Sequence, residues 1–253
     1  MTHMENFISS NKNQRIKDIK KLNETKYRNK TNQFLVEGKK CIEEALRVEG
    51  LCQELLLLED DIDIYFDLVQ KAPNVTYVSK EIIGYLTSTV TPQNVFCVCD
   101  KTKLDITEHV GLVVALDGIS DPGNLGAIIR SADAVNASEI LLINNCVDFL
   151  SPKVIRGSMG SVFHLPIRKG NKSDLDALKE NGYKVLGADI SGTEDFNFNS
   201  DTVCLVIGNE SHGISQDITD QLDEQVRIPI YGKAESLNAA VAASILMYKV
   251  KGF

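Results

Sequence analysis

Three short clusters hold residues whose types and spacing could do chemistry. The first is Asp121-Pro122-Gly123-Asn124-Leu125-Gly126, followed by Arg130. The second is Ile207-Gly208-Asn209-Glu210-Ser211-His212-Gly213, and the third runs from Ile228-Pro229-Ile230 through Gly232 to Ser236-Leu237-Asn238. A polar Gly-Asn-Glu after an apolar run places ligand-binding groups at the carboxyl end of a strand, where open α/β sheets bind ligands. Ser-Leu-Asn ahead of an apolar stretch reads as a helix start, with free backbone N–H groups and short polar side chains. Pro122 and its two glycines bring backbone close to a ligand. Asn124 and Arg130 stand less than two helical turns apart and could share one end of a site. An arginine among Ala127, Ile128, Ile129 and Ala132 needs an anionic or polar partner unless it lies on an exposed face.

Other chemistries lack their signatures. The glycines do not form a dinucleotide fingerprint or a phosphate-binding Walker loop. No nucleophile elbow accompanies a Ser-His-Asp set. The four histidines have no mutual spacing logic, and His212 fits loop shaping better than general-base work. Cys97-Val98-Cys99 has no second Cys/His pair at ligand spacing, so no metal is expected. The six cysteines sit mostly in apolar runs, as buried free thiols do.

The elements that must position these clusters alternate. Residues 112–116 form a continuous apolar run, typical of a parallel strand buried on both faces. A loop at 117–126 then leads to a helix over 127–135. Strands at 140–143, 184–186, 203–207 and 226–228 alternate with helices at 174–180 and 216–222, and a helix over 239–250 closes the chain. Alternating strands and helices imply a parallel sheet with right-handed crossovers. Upstream, a basic amphipathic helix is expected at 15–22 and a polar loop at 26–32. Strands follow at 34–36, 54–58, 75–78 and 95–98, with helices at 38–48, between 62 and 70, and at 79–85. These make one small α/β unit, and the polar stretch 100–109 reads as the boundary.

Charge is unevenly distributed. The net charge is −8, yet residues 1–40 hold ten basic and four acidic side chains, a net +6. A basic head on an acidic body fits binding of a phosphate backbone at one end. Lys17, Lys21, Tyr27 and Arg28 are the residues there that could clamp phosphates or stack on bases. No apolar run approaches the roughly 20 residues of a membrane-spanning helix, and residues 1–21 lack a secretory signal. A cytoplasmic protein without a membrane partner is expected.

In order, spacing and position near the end of the chain, the three clusters resemble motifs 1, 2 and 3 of the SpoU/TrmH family, RNA 2′-O-ribose methyltransferases of the SPOUT superfamily. The resemblance covers about residues 110–250. The stretch from Lys17 through Tyr27-Arg28 to Phe34-Leu35-Val36-Glu37-Gly38 resembles the L30e-like substrate-binding domain of the ribosomal-RNA subgroup. The resemblance implies an α/β fold of two domains. Residues 1–106 would bind RNA, and 107–253 would form a parallel-sheet SPOUT catalytic domain with a C-terminal trefoil knot. It implies S-adenosyl-L-methionine as cofactor, S-adenosyl-L-homocysteine as product, and a homodimer. Gly208, Ile228 and Leu237 would hold the cofactor, with Gly187 and Ala188 on the same pocket. Arg130, Asn124, Glu210, Ser236 and Asn238 would form the catalytic set. The family's proposal makes Arg130 the base; a guanidinium gives up a proton too reluctantly for that, so clamping phosphate and orienting the hydroxyl is the milder role. A transfer-RNA substrate, or a non-catalytic RNA-binding protein that kept the fold, are the readings left beside ribosomal RNA.

Overall fold

The computed structural model describes residues 6–104, 110–194 and 202–253. Residues 105–109 of the expected boundary at 100–109 lie outside these. The strands are β1 (Phe7–Ile8), β2 (Gln33–Glu37), β3 (Cys52–Leu58), β4 (Val75–Val78), β5 (Val95–Asp100), β6 (Val113–Asp117), β7 (Glu139–Ile143), β8 (Ile167–Lys169), β9 (Lys184–Thr193), β10 (Val203–Gly208) and β11 (Glu224–Val226). The α-helices are α1 (Gln14–Lys21), α2 (Thr25–Thr31), α3 (Lys39–Ala45), α4 (Phe66–Val69), α5 (Lys80–Leu86), α6 (Pro122–Ala134), α7 (Pro152–Gly157), α8 (Lys172–Glu180), α9 (Gln216–Thr219) and α10 (Ala239–Val250). They fall into two units. One comprises Met1–Leu104 with Leu150–Phe163, the other Asp105–Phe149 with His164–Phe253.

The first unit is built on a mixed sheet in the order β1-β4-β3-β5-β2. Ile16 and Ile19 of α1, the apolar stripe seen in the sequence, are buried with Leu22 against Leu56, Ile82, Ile83, Leu86 and Phe96. Residues 25–31 form helix α2 rather than the expected polar loop. Its sequence carries no apolar stripe, so periodicity could not reveal it. It is stopped by Asn32, whose φ of 53° is left-handed. The segment Leu150–Phe163 belongs to this unit. Phe163 stacks on Phe34 with ring centroids 6.0 Å apart, and Arg156 reaches Glu37 and Ser88.

The second unit is an all-parallel sheet in the order β11-β9-β10-β6-β7-β8. Every residue of β6 and β7 is buried, as continuous apolar strands covered on both faces should be. Leu175 of α8 and Ile218 of α9 seal one cluster with Val113, Ala115, Leu141 and Val206. α10 packs on α6, β9 and β10. β11 lies two residues ahead of the expected 226–228 and α9 stops at Thr219, short of 222; two larger expectations also need correcting. α6 begins at Pro122 instead of 127, because Asp121 caps it: the Asn124 N–H donates to Asp121 Oδ1 at 2.8 Å and Pro122 fills the first turn. β9 runs to Thr193, well past 186.

The six cysteines are free, five of them buried. Burial pushes the Cys41 thiol up to about 11 and the Cys204 thiol to about 12. No described helix is long and apolar enough to cross a membrane.

Candidate functional site

The site is assembled in the second unit at the carboxyl end of β10. There Gly208 is forced by space. A Cβ on it would lie 2.2 Å from the Gly213 carbonyl carbon and 2.3 Å from the Ile214 nitrogen. The chain turns back so tightly because Asn209 and Gly213 exchange two backbone hydrogen bonds of 2.9 Å, with Gly213 at a φ of 68°. Inside the turn, Asn209 Oδ1 accepts from the Ser211 and His212 N–H groups while its Nδ2 donates to the Gly118 carbonyl at 2.8 Å. Asn209 therefore shapes the loop. His212 also leans on Asn209, at 3.3 Å, consistent with loop shaping.

From this turn Glu210 projects toward the other two clusters. Asn124 Nδ2 donates to Glu210 Oε1 at 2.6 Å, and Asn238 Nδ2 donates to Asn124 Oδ1 at 2.9 Å. Asn238 Oδ1 in turn caps α10, accepting from the Ala240 and Val241 N–H groups. One side chain from each cluster thus joins a single chain of hydrogen bonds. Its direction is fixed at both ends, by a carboxylate that can only accept and by helix amides that can only donate.

Beside this chain lies a cleft of about 590 Å³, the size of a small-molecule site. Gly208, Ile228, Leu237 and Ala188, which the resemblance assigned to the cofactor, line it, as do Glu210, Ser236 and Asn238. Gly187 does not. Strand alternation turns it to the opposite face, where a Cβ would strike Leu222 and Ile214. The sequence reading missed Asp189, Ile190 and Arg227, which also line the cleft, and Ala242 and Leu246, which reach it from α10. They sit in β9 beyond its expected end, beside β11 and on the helix that closes the chain. Arg227 is paired with Glu194 at 2.7 Å.

Arg130 stands apart from this cleft. It is exposed on α6 and is not among the lining residues. With Asn124 now on the same helix, the two are separated by about 120° around the axis and about 9 Å along it. The expectation that they share one end of a site within one chain is therefore corrected. Exposure also removes the need for a buried partner.

In the first unit, Lys17 is exposed, and Lys21 pairs with Asp18 at 2.8 Å and lies 5.5 Å from the centre of the Tyr27 ring. The Asp18 hydrogen bond holds the Lys21 ammonium above its ordinary range. Arg28 is a correction. It is 2% exposed and donates to the Leu22 carbonyl at 2.7 Å and the Thr25 hydroxyl at 2.9 Å. Its guanidinium ties α2 to the end of α1 and is not presented to a ligand.

The chain resembles known proteins along its whole length. Residues 111–248 match the SpoU rRNA Methylase family, and residues 13–97 match the MRM3-like substrate binding domain. The 23S rRNA (guanosine(2553)-2′-O)-methyltransferase RlmP of Bacillus subtilis (strain 168) is 38% identical over 250 residues, covering 97% of this chain and 99% of that protein. The crystal structure of an AdoMet-bound rRNA methyltransferase from Sinorhizobium meliloti superposes with a TM-score of 0.83 at 30% identity, covering 97% of each chain. The SpoU methyltransferase AviRb from Streptomyces viridochromogenes, in complex with AdoMet, gives 0.85 at 28% identity over 94% of this chain and 97% of that one. With its catalytic segment, its N-terminal segment and its whole length all matched, the chain belongs to the SpoU rRNA methylase family.

Proposed function

We infer that the protein transfers a methyl group from S-adenosyl-L-methionine to a ribose 2′-hydroxyl of 23S ribosomal RNA. The observation that carries this reading is the hydrogen-bonded chain Glu210–Asn124–Asn238, which ties the three clusters together beside the cleft. The residues present fit the cofactor. Ala242 and Leu246 offer apolar surface suited to an adenine ring, Gly208, Ile228, Leu237 and Ala188 would hold it, and the Glu210 carboxylate favours a cationic ligand. When bound, S-adenosylmethionine supplies an electrophilic methyl group on a positively charged sulfur. In-line transfer asks the protein chiefly for positioning. Asn238 and Ser236 stand exposed at the cleft, placed to orient a ribose, and Asn124 fixes the Asn238 amide. The hydroxyl must lose its proton near the transition state, and Glu210 is a carboxylate that lines the cleft and joins this set through Asn124.

The same reading includes a homodimer. Val241, Ile245 and Tyr248 of α10 are 47%, 42% and 40% exposed and follow one helical stripe. Arg130 lies next to Ser131, which touches Ser244 on α10 at 2.7 Å. A second copy covering this stripe would bring Arg130 against the partner, where it can clamp an RNA phosphate and support the developing charge. The N-terminal unit would hold RNA through Lys17, Lys21 and Tyr27. A knotted path for residues 209–250 fits α10, last in sequence, lying against α6 and the central strand β10. A cytoplasmic enzyme completes the reading.

The test is a map of 2′-O-methylation across ribosomal and transfer RNA in a strain lacking the gene. One 23S position should lose its methyl group, regain it with the wild-type gene, and not with Asn124→Ala. A lost position in transfer RNA alone would replace the substrate. A map with no lost position would sink the enzymatic reading.

A further inference from the structure

Below the floor of the β10 loop lies a polar junction that the methyl-transfer chemistry does not use. Asp117 ends β6 and is 2% exposed. Its Oδ2 accepts from the Ser215 N–H at 2.7 Å and from the Ser215 hydroxyl at 2.7 Å, and its Oδ1 accepts from Asn144 Nδ2 at 2.9 Å. Asn144 Nδ2 also reaches the Ser215 hydroxyl at 3.2 Å. Asn144 and Asn145 both carry left-handed φ angles, 48° and 59°, a bend that asparagine tolerates better than most residues. One residue beyond Asp117, the Gly118 carbonyl accepts from Asn209.

The consequence is a clamp on both ends of one loop. The segment from Asn209 to Ser215 leaves β10 and returns, with Asn209 fastened to Gly118 and Ser215 to Asp117. Glu210, which faces the cleft, is suspended between those two anchors. Ser215 alone takes two hydrogen bonds to a buried carboxylate, bonds that are short and strong. Buried charge is costly unless so satisfied, so the arrangement is a fixed one.

We propose that Asp117 is the positioning residue for cofactor binding: its carboxylate sets the shape of the 209–215 loop and hence the affinity for S-adenosyl compounds, without touching them. This rests on the reading of the cleft as a cofactor site. The nearest alternative is a general stabilising role for a buried carboxylate, which would act on the whole fold.

The test uses full-length protein with Asp117→Asn and, as the milder change, Ser215→Ala. An asparagine offers one acceptor oxygen where the carboxylate offers two, so its NH2 would face either the Ser215 N–H or the Asn144 amide, and the negative charge is lost. S-adenosylhomocysteine affinity, measured by calorimetry, should weaken about 10- to 100-fold for Asp117→Asn, the worth of a hydrogen bond to a charged group. It should weaken less for Ser215→Ala, which keeps the backbone bond. Bound cofactor should draw the loop, and the Glu210 it carries, back into place, so KM for the cofactor should take the larger part of the change and kcat at saturating cofactor the smaller. Amide hydrogen exchange without ligand should quicken at residues 209–215 and not across β6 or β10. Should Asp117→Asn fail to fold, Ser215→Ala decides the same question by the same readouts. Exchange unchanged in the loop, cofactor affinity unchanged, or kcat lost at unchanged affinity would each overturn the proposal. Wild-type protein that binds no S-adenosylhomocysteine would instead overturn the functional reading, and the exchange data would still decide whether Asp117 holds the loop.

Discussion

Lys17 and Arg28 carry the same charge in the same basic head, yet the structure gives them opposite work. Lys17 faces solvent, whereas Arg28 is buried with its guanidinium on the Leu22 carbonyl. Lys17→Ala should leave thermal stability unchanged, weaken RNA binding, and lower the salt dependence of binding by about one unit of slope. Arg28→Ala should cost about 2–4 kcal/mol of stability by stranding buried polar groups, while the salt slope of the folded fraction stays put. Filter-binding titrations over a salt series, beside denaturant melts, separate the two. An Arg28→Ala protein of wild-type stability and reduced slope would show Arg28 to be an RNA contact after all. At this scale the sequence identified types and spacing well. Asn124, Glu210 and Asn238 do meet, because each is fixed by a neighbour the sequence also shows: the Asp121 cap, the Gly208 turn, the α10 start. It could not tell a solvated arginine from a buried one, since that depends on how α2 folds over α1.

Whole elements were legible where periodicity or continuous apolarity marks them. β4 and α10 fall on the expected residues, and the stripe of α1 is buried as read. The failures are physical. α2 has no apolar face to betray it, and Asp-Pro-Gly-Asn reads equally as a turn or as a capped first turn of α6. Two predictions belong here. Gly208→Ala should prevent the return of the 209–215 loop, because its methyl would overlap the Gly213 and Ile214 backbone. S-adenosylhomocysteine binding should vanish while far-ultraviolet circular dichroism keeps its helix and strand content; retained binding would mean the turn can open. At the start of α8, Asp174 accepts from the Asn171 N–H at 2.7 Å and from Arg168 at 2.5 Å. Burial alone would raise its carboxyl; the Arg168 and Asn171 hydrogen bonds outweigh that and hold it below its ordinary 3.8. A depressed folded value means the stabilisation is present above the unfolded value and is lost as pH falls through the folded one. Asp174→Asn should therefore cost about 1 kcal/mol near neutrality, with the difference in melting temperature closing as pH falls below 3.8. A gap that persists in acid would assign the effect to packing.

At the scale of the whole molecule, the sequence reading put its boundary at the polar stretch 100–109, and the change from basic head to acidic body falls near residue 40, inside the first unit. The membership of Leu150–Phe163 in the first unit was not legible, because it rests on long-range contacts such as Phe163 on Phe34 that no local pattern encodes. The same limit applies to assembly, where the apolar sequence of α10 suits an interface or a core equally and only its placement shows Val241, Ile245 and Tyr248 exposed. In the proposed dimer a second copy would cover this apolar stripe. Wild-type protein should sediment as a dimer at micromolar concentration. Ile245→Asp puts a charge at the centre of the stripe and should give monomers, since an interface core tolerates an unpaired carboxylate poorly. The position is 42% exposed in the single chain, so the substitution should change stability of the monomer by no more than about 0.5 kcal/mol. Methyl transfer should fall together with dimer content if Arg130 serves the partner's cleft, and S-adenosylhomocysteine should still bind, because Gly208, Ile228 and Leu237 all belong to one chain. An active monomer would return Arg130 to a role within its own chain. A wild-type monomer at working concentration would remove the dimer altogether.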